Sequence, residues 1–358
     1  MTTASQAPGL LALSDPSRSL SRRLLDERGG FVWWYLDALD QQGDGFTLIW
    51  SFGLPFLPGY LDAARRGRPE TPRARPSLNL ALYRGGRQVD YALQEHAPED
   101  AVWGAEDSSF RFGKSRISST VIDGERRVEA ELDLLVPGGQ RRLTGRITVV
   151  GAAARTTTLT TTPSPHEWCP LLGPAQAEVN LETADGPFHF QGLAYHDRNG
   201  SPVGLEQLGI ADWAWGRTIT ADRLAAYYVV WPQVGAPFAW WVEVDRGGRL
   251  TIDPQASLHF ERPRRAFYGM EHRDLVVAGR RIEHQGLLED GPFYLRARQT
   301  IDGQPALGEW VRPDRIDLPR HRGMVKMRVH RLQGENSLWL PLFNGPQADR
   351  LRRLWRWA

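Results

Sequence analysis

The sequence predicts a mainly β protein, built from antiparallel sheets with few short helices. Apolar or alternating runs of strand length recur along the chain, at residues 46–50, 77–83, 128–134, 142–150, 225–231, 238–244 and 292–299. Turn-type sequences separate such runs, at Gly85-Gly86, Asp123-Gly124, Pro137-Gly138-Gly139, Asp185-Gly186, Asp290-Gly291 and Asp302-Gly303. Short strands joined by tight turns favour closed or nearly closed barrel or sandwich sheets, because closure removes unpaired strand edges.

The chain length predicts two domains. The chain has 358 residues, and a domain ordinarily takes roughly 100 to 200 residues. We expect a flexible N-terminal segment at residues 1–28 and a first β domain at residues 29–218. A second β domain then follows at residues 219–340, and a basic amphipathic tail at residues 341–358.

The composition argues against several classes of protein. The 44 Lys and Arg residues nearly balance the 42 Asp and Glu residues, so a nucleic-acid partner is not expected. The single cysteine, Cys169, cannot form an intramolecular disulfide and is expected to be structural. The N-terminus lacks a signal peptide's apolar stretch, and no run is long enough for a membrane-spanning helix. We therefore expect a cytoplasmic protein. Its 14 tryptophans suit a bulky core or an apolar ligand pocket.

Helical signals are few and local. Residues 58–66 predict a short helix, followed by an Arg- and Pro-rich segment at 67–76 that is either a mobile loop covering a site or a plain surface loop. Near the C-terminus, Leu351, Leu354 and Trp355 share one face of a basic helical pattern. That tail could contact a membrane surface, or it could dock on its own domain.

The familiar catalytic signatures do not occur in this sequence. It has no glycine-rich nucleotide loop, no His-Glu-x-x-His pattern and no Gly-x-Ser-x-Gly pattern, so no nucleotide cofactor is implied. His189, His196 and Asp197 do not have a recognised metal-ligand spacing, and no metal site is predicted.

Three clusters instead combine aromatic and polar side chains. In an extended strand, Tyr195 and Asp197 share one face and His196 points to the other. The cluster is either a solvated turn or a buried polar network. An Asp kept protonated by an apolar wall could act as a general acid near neutral pH.

The other two clusters follow the same alternation. His166 and Trp168 share a face, as a site pair or as a surface histidine beside a packed tryptophan. Trp33, Tyr35 and Asp37 point one way and Trp34 the other. That third segment is either a strand packed on both faces or the wall of an apolar pocket.

Taken in order, these motifs resemble the carotenoid 1,2-hydratase (hydroxyneurosporene synthase) family. The resemblance covers residues 30 to 230 most clearly and rests on Gly30–Ala38, Leu78–Tyr83, His166-Glu-Trp168, Tyr195-His-Asp197-Arg-Asn199-Gly200 and Trp213-Ala-Trp215. It implies two lipocalin-like domains, a substrate channel near their contact, and neither a redox nor a nucleotide cofactor. It also implies a hydro-lyase that adds water to the terminal C=C of an acyclic carotenoid or a related isoprenoid.

The family's His-x-Trp and Tyr-x-Asp pairs fall on His166, Trp168, Tyr195 and Asp197. In such hydratases a proton goes to the less substituted carbon and water captures the tertiary carbocation. We assign Asp197 as the acid, with Tyr195 orienting it, Trp168 facing the cation, and His166 holding or deprotonating the water. Our candidate substrate-binding residues are Trp33, Trp34, Tyr35, His196, Asn199, Trp213, Trp215 and Tyr228.

The motif also departs from related sequences. Other lipocalin-like relatives read Tyr-His-Asp-His-Asn-Trp, where this chain carries Arg198 and Gly200 in place of the later His and Trp. If Arg198 pairs with Asp197, it should lower the pKa of that carboxyl and weaken the acid. Two other functions stay open, namely a cofactor-free cyclase of a polyene, which needs chiefly a shaped pocket, and a non-catalytic carrier of lipophilic pigments.

Overall fold

The computed structural model describes residues 9–104, 108–135, 142–156, 164–326 and 329–331. Two largely antiparallel sheets contain nearly all of the regular secondary structure in this part of the chain, which confirms the predicted mainly β fold. The described helices are short: α1 (Tyr60–Arg65), α2 (Pro319–Lys326), and 3-10 turns at Arg22–Asp26, Pro72–Ala74, Pro98–Asp100, Leu205–Gln207 and Pro313–Arg315.

The first sheet has fourteen strands within the described residues. They are β1 (Ala12–Leu13), β2 (Phe31–Leu39), β3 (Gly45–Phe52), β4 (Pro76–Arg84), β5 (Arg87–Glu95), β6 (Ala101–Trp103), β7 (Ser109–Phe112), β8 (Ser115–Ile122), β9 (Glu125–Leu135), β10 (Arg142–Ala153), β11 (Glu167–Pro170), β12 (Leu172–Thr183), β13 (Gly186–Ser201) and, from the end of the described chain, β23 (Val329–Arg331). The main path runs β23-β5-β4-β3-β2-β13-β12-β10-β9-β8-β7-β6, and β11 joins β1 to β13. The sheet curls until β5 lies near β9 and β4 near β7.

The second sheet has nine strands in the same part of the chain. They are β14 (Ile210–Ile219), β15 (Arg223–Pro232), β16 (Phe238–Asp245), β17 (Leu250–Ala256), β18 (Leu258–Arg265), β19 (Glu271–Val277), β20 (Arg280–Asp290), β21 (Tyr294–Ile301) and β22 (Gln304–Val311). Their order is β17-β16-β15-β14-β22-β21-β20-β19-β18, and the sheet curls until β16 lies near β19.

Tight turns make several of these hairpins. Gly85 and Gly86 join β4 to β5 with φ of 56° and 72°, and Asp123 and Gly124 join β8 to β9 with φ of 51° and 79°. Two consecutive residues with positive φ match the right-handed twist of the strands they connect. Glycine, and aspartate to a lesser degree, adopts positive φ readily and is therefore favoured at these turn positions.

Three apolar clusters organise the described residues. One fills the curl of the first sheet and includes Trp34 and Trp50, and another fills the curl of the second and includes Tyr227 and Trp310. The third lies where the two sheets pack together and takes side chains from both, such as Trp33. This contact between the sheets positions the candidate site.

The predicted domain limits stay a prediction. β14 belongs to the second sheet, although the predicted boundary at residue 218 assigns most of that strand to the first domain. Residues 9–28 include β1 and a 3-10 turn with buried leucines such as Leu13 and Leu25. The tail at residues 341–358 and the predicted turn at 137–139 lie outside the described residues.

The predicted short helix at residues 58–66 corresponds to α1. In the segment that follows, Arg73 pairs with Asp26, and Arg75 pairs with Glu95. Of the described helices, none is long and apolar enough to cross a membrane.

Candidate functional site

Three neighbouring strands of the first sheet bring the predicted catalytic residues together. β13 pairs with β2 so that Asp197 lies opposite Tyr35 and Tyr195 lies opposite Asp37. On its other edge β13 pairs with β11, which places Trp168 opposite Asn199. Directly paired residues share a face of a sheet, so Tyr195 and Asp197 share one face, as predicted. In the folded chain that face is turned toward the second sheet.

The Asp197 carboxyl is the centre of a buried hydrogen-bond network. Its Oδ2 accepts bonds from Tyr195 Oη at 2.7 Å and Trp168 Nε1 at 2.8 Å, and its Oδ1 accepts a longer one from Asn199 Nδ2 at 3.3 Å. β13 runs without a break to Ser201. The cluster is therefore a buried polar network within a strand and not a solvated turn.

Burial keeps the Asp197 carboxyl protonated near neutral pH. Loss of solvation raises the pKa of the Asp197 carboxyl to about 8, although the bonds from Tyr195 and Trp168 act in the opposite direction. The Arg198 guanidinium donates to the carbonyl groups of Arg18 and Asp15. A pair with Arg198 was the condition for a lower Asp197 pKa, and it is not met, because residue 198 points to the opposite face of the strand.

His166 is joined to the same network through Asn199. It is fully buried, which excludes the surface histidine, and its Nε2 lies 3.2 Å from Asn199 Oδ1. Burial lowers the pKa of His166 to about 4, so the ring is neutral at pH 7. Because the amide oxygen can only accept, Nε2 carries the proton and Nδ1 is a free acceptor. Among the described residues Nδ1 has no hydrogen-bond partner.

Aromatic rings from both sheets surround the acid. Trp215 lies 5.1 Å from Tyr195 and 5.4 Å from Tyr35, measured between ring centroids. Tyr228 meets Trp168 edge-on at 5.4 Å. These rings give the acid an electron-rich, water-poor environment.

Two further predicted residues lie in the same apolar cluster. Trp33 stacks on Phe31 at 5.0 Å and lies 6.3 Å from the His166 ring, while Trp213 is buried on the same face of β14 as Trp215. The strand that carries Trp33 is packed on both faces.

Trp34 and His196 are not brought to this site. Both side chains point into the curl of the first sheet, where Trp34 meets Trp50 and Trp103, and His196 stacks on Trp50 at 5.5 Å. The His196 Nδ1 also bonds the backbone carbonyl of Tyr35. The predicted substrate-binding roles of these two residues stay predictions without support from their placement.

The site is closed. None of the predicted site residues is more than 9% exposed. A groove of about 460 Å³ lies elsewhere, between Arg22, Arg23, Arg73, Phe52 and Trp103 among others, and no predicted site residue lines it.

An ionic network beside the site was missed by reasoning from the sequence. Tyr35 Oη donates to Glu309 at 2.9 Å, Arg296 joins Glu309 to Glu289, and Arg217 pairs with Asp37 across the two sheets. Charged residues within predicted strands were a weak signal of buried ion pairs. Their partners are distant in sequence, so the pairs themselves could not be predicted. Within the described residues no three His, Cys, Asp or Glu side chains are placed to hold a metal ion.

The fold and the site together define the class of protein. In this class, two curled antiparallel sheets enclose a buried carboxylic acid that is surrounded by aromatic side chains. The profile of the carotenoid hydratase CrtC family matches residues 48–337. The chain therefore belongs to the carotenoid hydratase family.

Individual proteins are also similar to this chain. An acyclic carotenoid 1,2-hydratase from Thiocapsa roseopersicina is 28% identical, over 90% of this chain and 78% of its own. A hydroxyneurosporene dehydrogenase from Chlorobaculum tepidum is 26% identical, over 89% of this chain and 92% of its own. A solved structure named "putative AttH" from Nitrosomonas europaea has a TM-score of 0.56 at 14% identity, over 84% of this chain and 99% of its own, and supports the lipocalin-like fold alone.

Proposed function

We propose that this protein adds water to the terminal C=C of an acyclic carotenoid or a related isoprenoid. The observation that carries the proposal is the buried Asp197 carboxyl, whose pKa of about 8 keeps it protonated at neutral pH inside an aromatic wall. Membership of the carotenoid hydratase family and the hydratase name of one relative support the substrate class.

Protonation is the first step of the proposed reaction. Asp197 transfers its proton to the less substituted alkene carbon, the π electrons form the new C–H bond, and the other carbon becomes a tertiary cation. Tyr195 and Trp168 hold the carboxyl in place through their hydrogen bonds to Oδ2. The rings of Tyr35, Trp168 and Trp215 stabilise the cation through their electron-rich faces.

Water capture is the second step. The neutral His166 ring presents the acceptor Nδ1, which orients a water molecule and takes its proton as the C–O bond forms. The tertiary alcohol leaves, and the proton returns from His166 to Asp197. One water is consumed and no cofactor is needed to balance the reaction.

The decisive experiment follows the oxygen atom. Purified protein is incubated with acyclic carotenes in ¹⁸O-labelled water, and the products are examined by mass spectrometry. We expect a gain of one labelled water per hydrated end. An unchanged substrate would favour the carrier, and an isomer without added water would favour the cyclase.

Substitution of the acid tests its role in the same assay. Asp197→Asn keeps the shape of the side chain but cannot donate this proton, so we expect at least a ~100-fold loss of rate with polyene binding, followed by tryptophan quenching, nearly unchanged. Asp133→Asn, on the partly exposed pair with Arg142, is the matched control and should keep its activity. Full activity in Asp197→Asn would remove Asp197 from the mechanism.

A further inference from the structure

A row of side chains crosses the face of the second sheet that meets the site. In cross-strand register, Tyr228 pairs with Trp215, Trp215 with Glu309, Glu309 with Arg296, and Arg296 with Glu289. The row therefore changes from aromatic to ionic at Glu309. That residue is the first carboxylate beside the aromatic wall.

Glu309 is hydrogen-bonded to one ring of the site, that of Tyr35. Its Oε1 accepts hydrogen bonds from Tyr35 Oη and from Arg296 Nε, each at 2.9 Å. Tyr35 is the direct cross-strand partner of Asp197, and its ring packs against Tyr195 with centroids 6.2 Å apart. One tyrosine thus separates Glu309 from the proposed acid.

The Glu309 carboxylate lies deep enough to act on the site. It pairs with Arg296, which also pairs with Glu289. The Glu309 side chain is 13% exposed and Arg296 is 2% exposed, and solvent screens charges poorly at that depth. The charge of Glu309 raises the pKa of Asp197 across the Tyr35 ring.

We propose that Glu309 is a positioning residue of this site, which fixes the Tyr35 ring opposite Asp197 and supplies a negative charge that favours a cationic intermediate over an ionised acid. The inference rests on the proposed function. Hydrogen bonding to a carboxylate also makes the phenol ring more electron-rich, which strengthens its attraction for a cation.

Several groups around Asp197 influence the pKa of its carboxyl. Tyr195 lies on the same strand, Trp168 and Asn199 bond the carboxyl, and Asp37 lies diagonally across on β2, paired with Arg217. Glu309 and Asp37 both raise the pKa of Asp197. Of these two carboxylates, Glu309 is the one that accepts a hydrogen bond from the hydroxyl on the aromatic ring of Tyr35.

The test is Glu309→Gln, which keeps an acceptor for Tyr35 and removes the charge. Protonated Asp197 is followed by its carboxyl C=O infrared band against pH, assigned by its loss in Asp197→Asn. Without the negative neighbour the acid ionises more easily, so we expect the band to disappear at a pH lower by about half a unit or more. The kcat for hydration should fall about tenfold while KM changes little.

Glu289→Gln is the matched control, because it removes a carboxylate from the same network without touching Tyr35. A smaller shift than in Glu309→Gln supports the inference, and equal or absent shifts overturn it. If Glu309→Gln does not fold, Tyr35→Phe removes the contact and leaves both ion pairs of Arg296; an unchanged kcat would then overturn the inference. An infrared shift in a protein that hydrates no carotene would contradict the proposed function alone.

Discussion

The proton on Asp197 links the site to stability. The folded protein holds this proton up to a pH of about 8, whereas an unfolded chain releases it at about pH 3.9. Between those values the folded state binds more protons, so its stabilising contribution is complete at low pH and is lost as pH rises toward 8. Buried histidines such as His166 act in the opposite direction, and their contribution changes mainly below about pH 6.5.

This linkage predicts a difference in melting behaviour. Between pH 6.5 and 8.5, the Tm of the native protein should fall more steeply than that of Asp197→Asn, because the amide of the variant has no proton to release. Differential scanning calorimetry of both proteins across this range measures the effect, and every other titrating group is common to the two. Parallel Tm curves would show that Asp197 is already ionised in the folded protein.

Part of the site could be predicted from the sequence, residue by residue. Strand alternation correctly separated Tyr195 and Asp197 from His196, and Trp33 and Tyr35 from Trp34. It could not identify Glu309 as the partner of Tyr35, which lies 274 positions away in the chain. Hydrogen bonds at that separation are determined by the packing of the two sheets, so local sequence patterns cannot predict them.

At the scale of elements, α1 depends on a residue from the far end of the chain. Asp317 Oδ2 accepts the backbone N–H groups of Gly59 at 2.8 Å and Asp62 at 2.9 Å, while its Oδ1 accepts Arg322 Nε. Gly59 itself offers no side chain as a cap. Asp317 therefore supplies the acceptor that the first turn of this helix lacks.

We predict that Asp317→Asn loosens α1 selectively. Asn tolerates the positive φ of 57° at this position, but its amide group must face one of the present donors, at a cost of about 1–3 kcal/mol. Amide hydrogen exchange within α1 should accelerate about tenfold. Arg66→Gln, which removes only the pair with Asp62 on the same helix, is the control and should change exchange far less. Equal acceleration in both variants would contradict the capping role.

The hairpins show which elements a local pattern can specify. The predicted run at residues 77–83 lies within β4, and the Gly85-Gly86 turn closes the hairpin to β5. β1 was missed, because two residues pairing with β11 carry no periodic pattern. Short strands of this kind form because they pair with a neighbouring strand, and their own sequence does not specify them.

At the scale of the whole molecule, a buried ion pair joins the two sheets. Arg217 on β14 donates to Asp37 on β2, and the side chains are 2% and 0% exposed. Within the described residues the Asp37 Oδ2 has no hydrogen-bond partner. The pair thus joins the two sheets directly, and removal of either charge would leave its partner buried and unpaired in the interface between them.

We predict that Arg217→Met destabilises the protein by about 3–5 kcal/mol, because Asp37 is left buried without its partner. The double variant Asp37→Asn with Arg217→Met should recover much of that loss. Urea unfolding of the two single variants and the double variant measures the coupling. Arg142→Met, which breaks a partly exposed pair, should cost less than about 1 kcal/mol. Additive losses at Asp37 and Arg217 would argue against a coupled pair.

The sequence by itself determined the β class, several hairpin turns and the motifs around His166 and Asp197, because strand period, turn chemistry and short-range alternation are local properties. The tertiary structure alone decided that His166 is neutral and buried, that Arg198 points away from Asp197, and that Glu309 stands behind Tyr35. These features depend on desolvation and on contacts between the sheets, and both arise only when distant segments pack together.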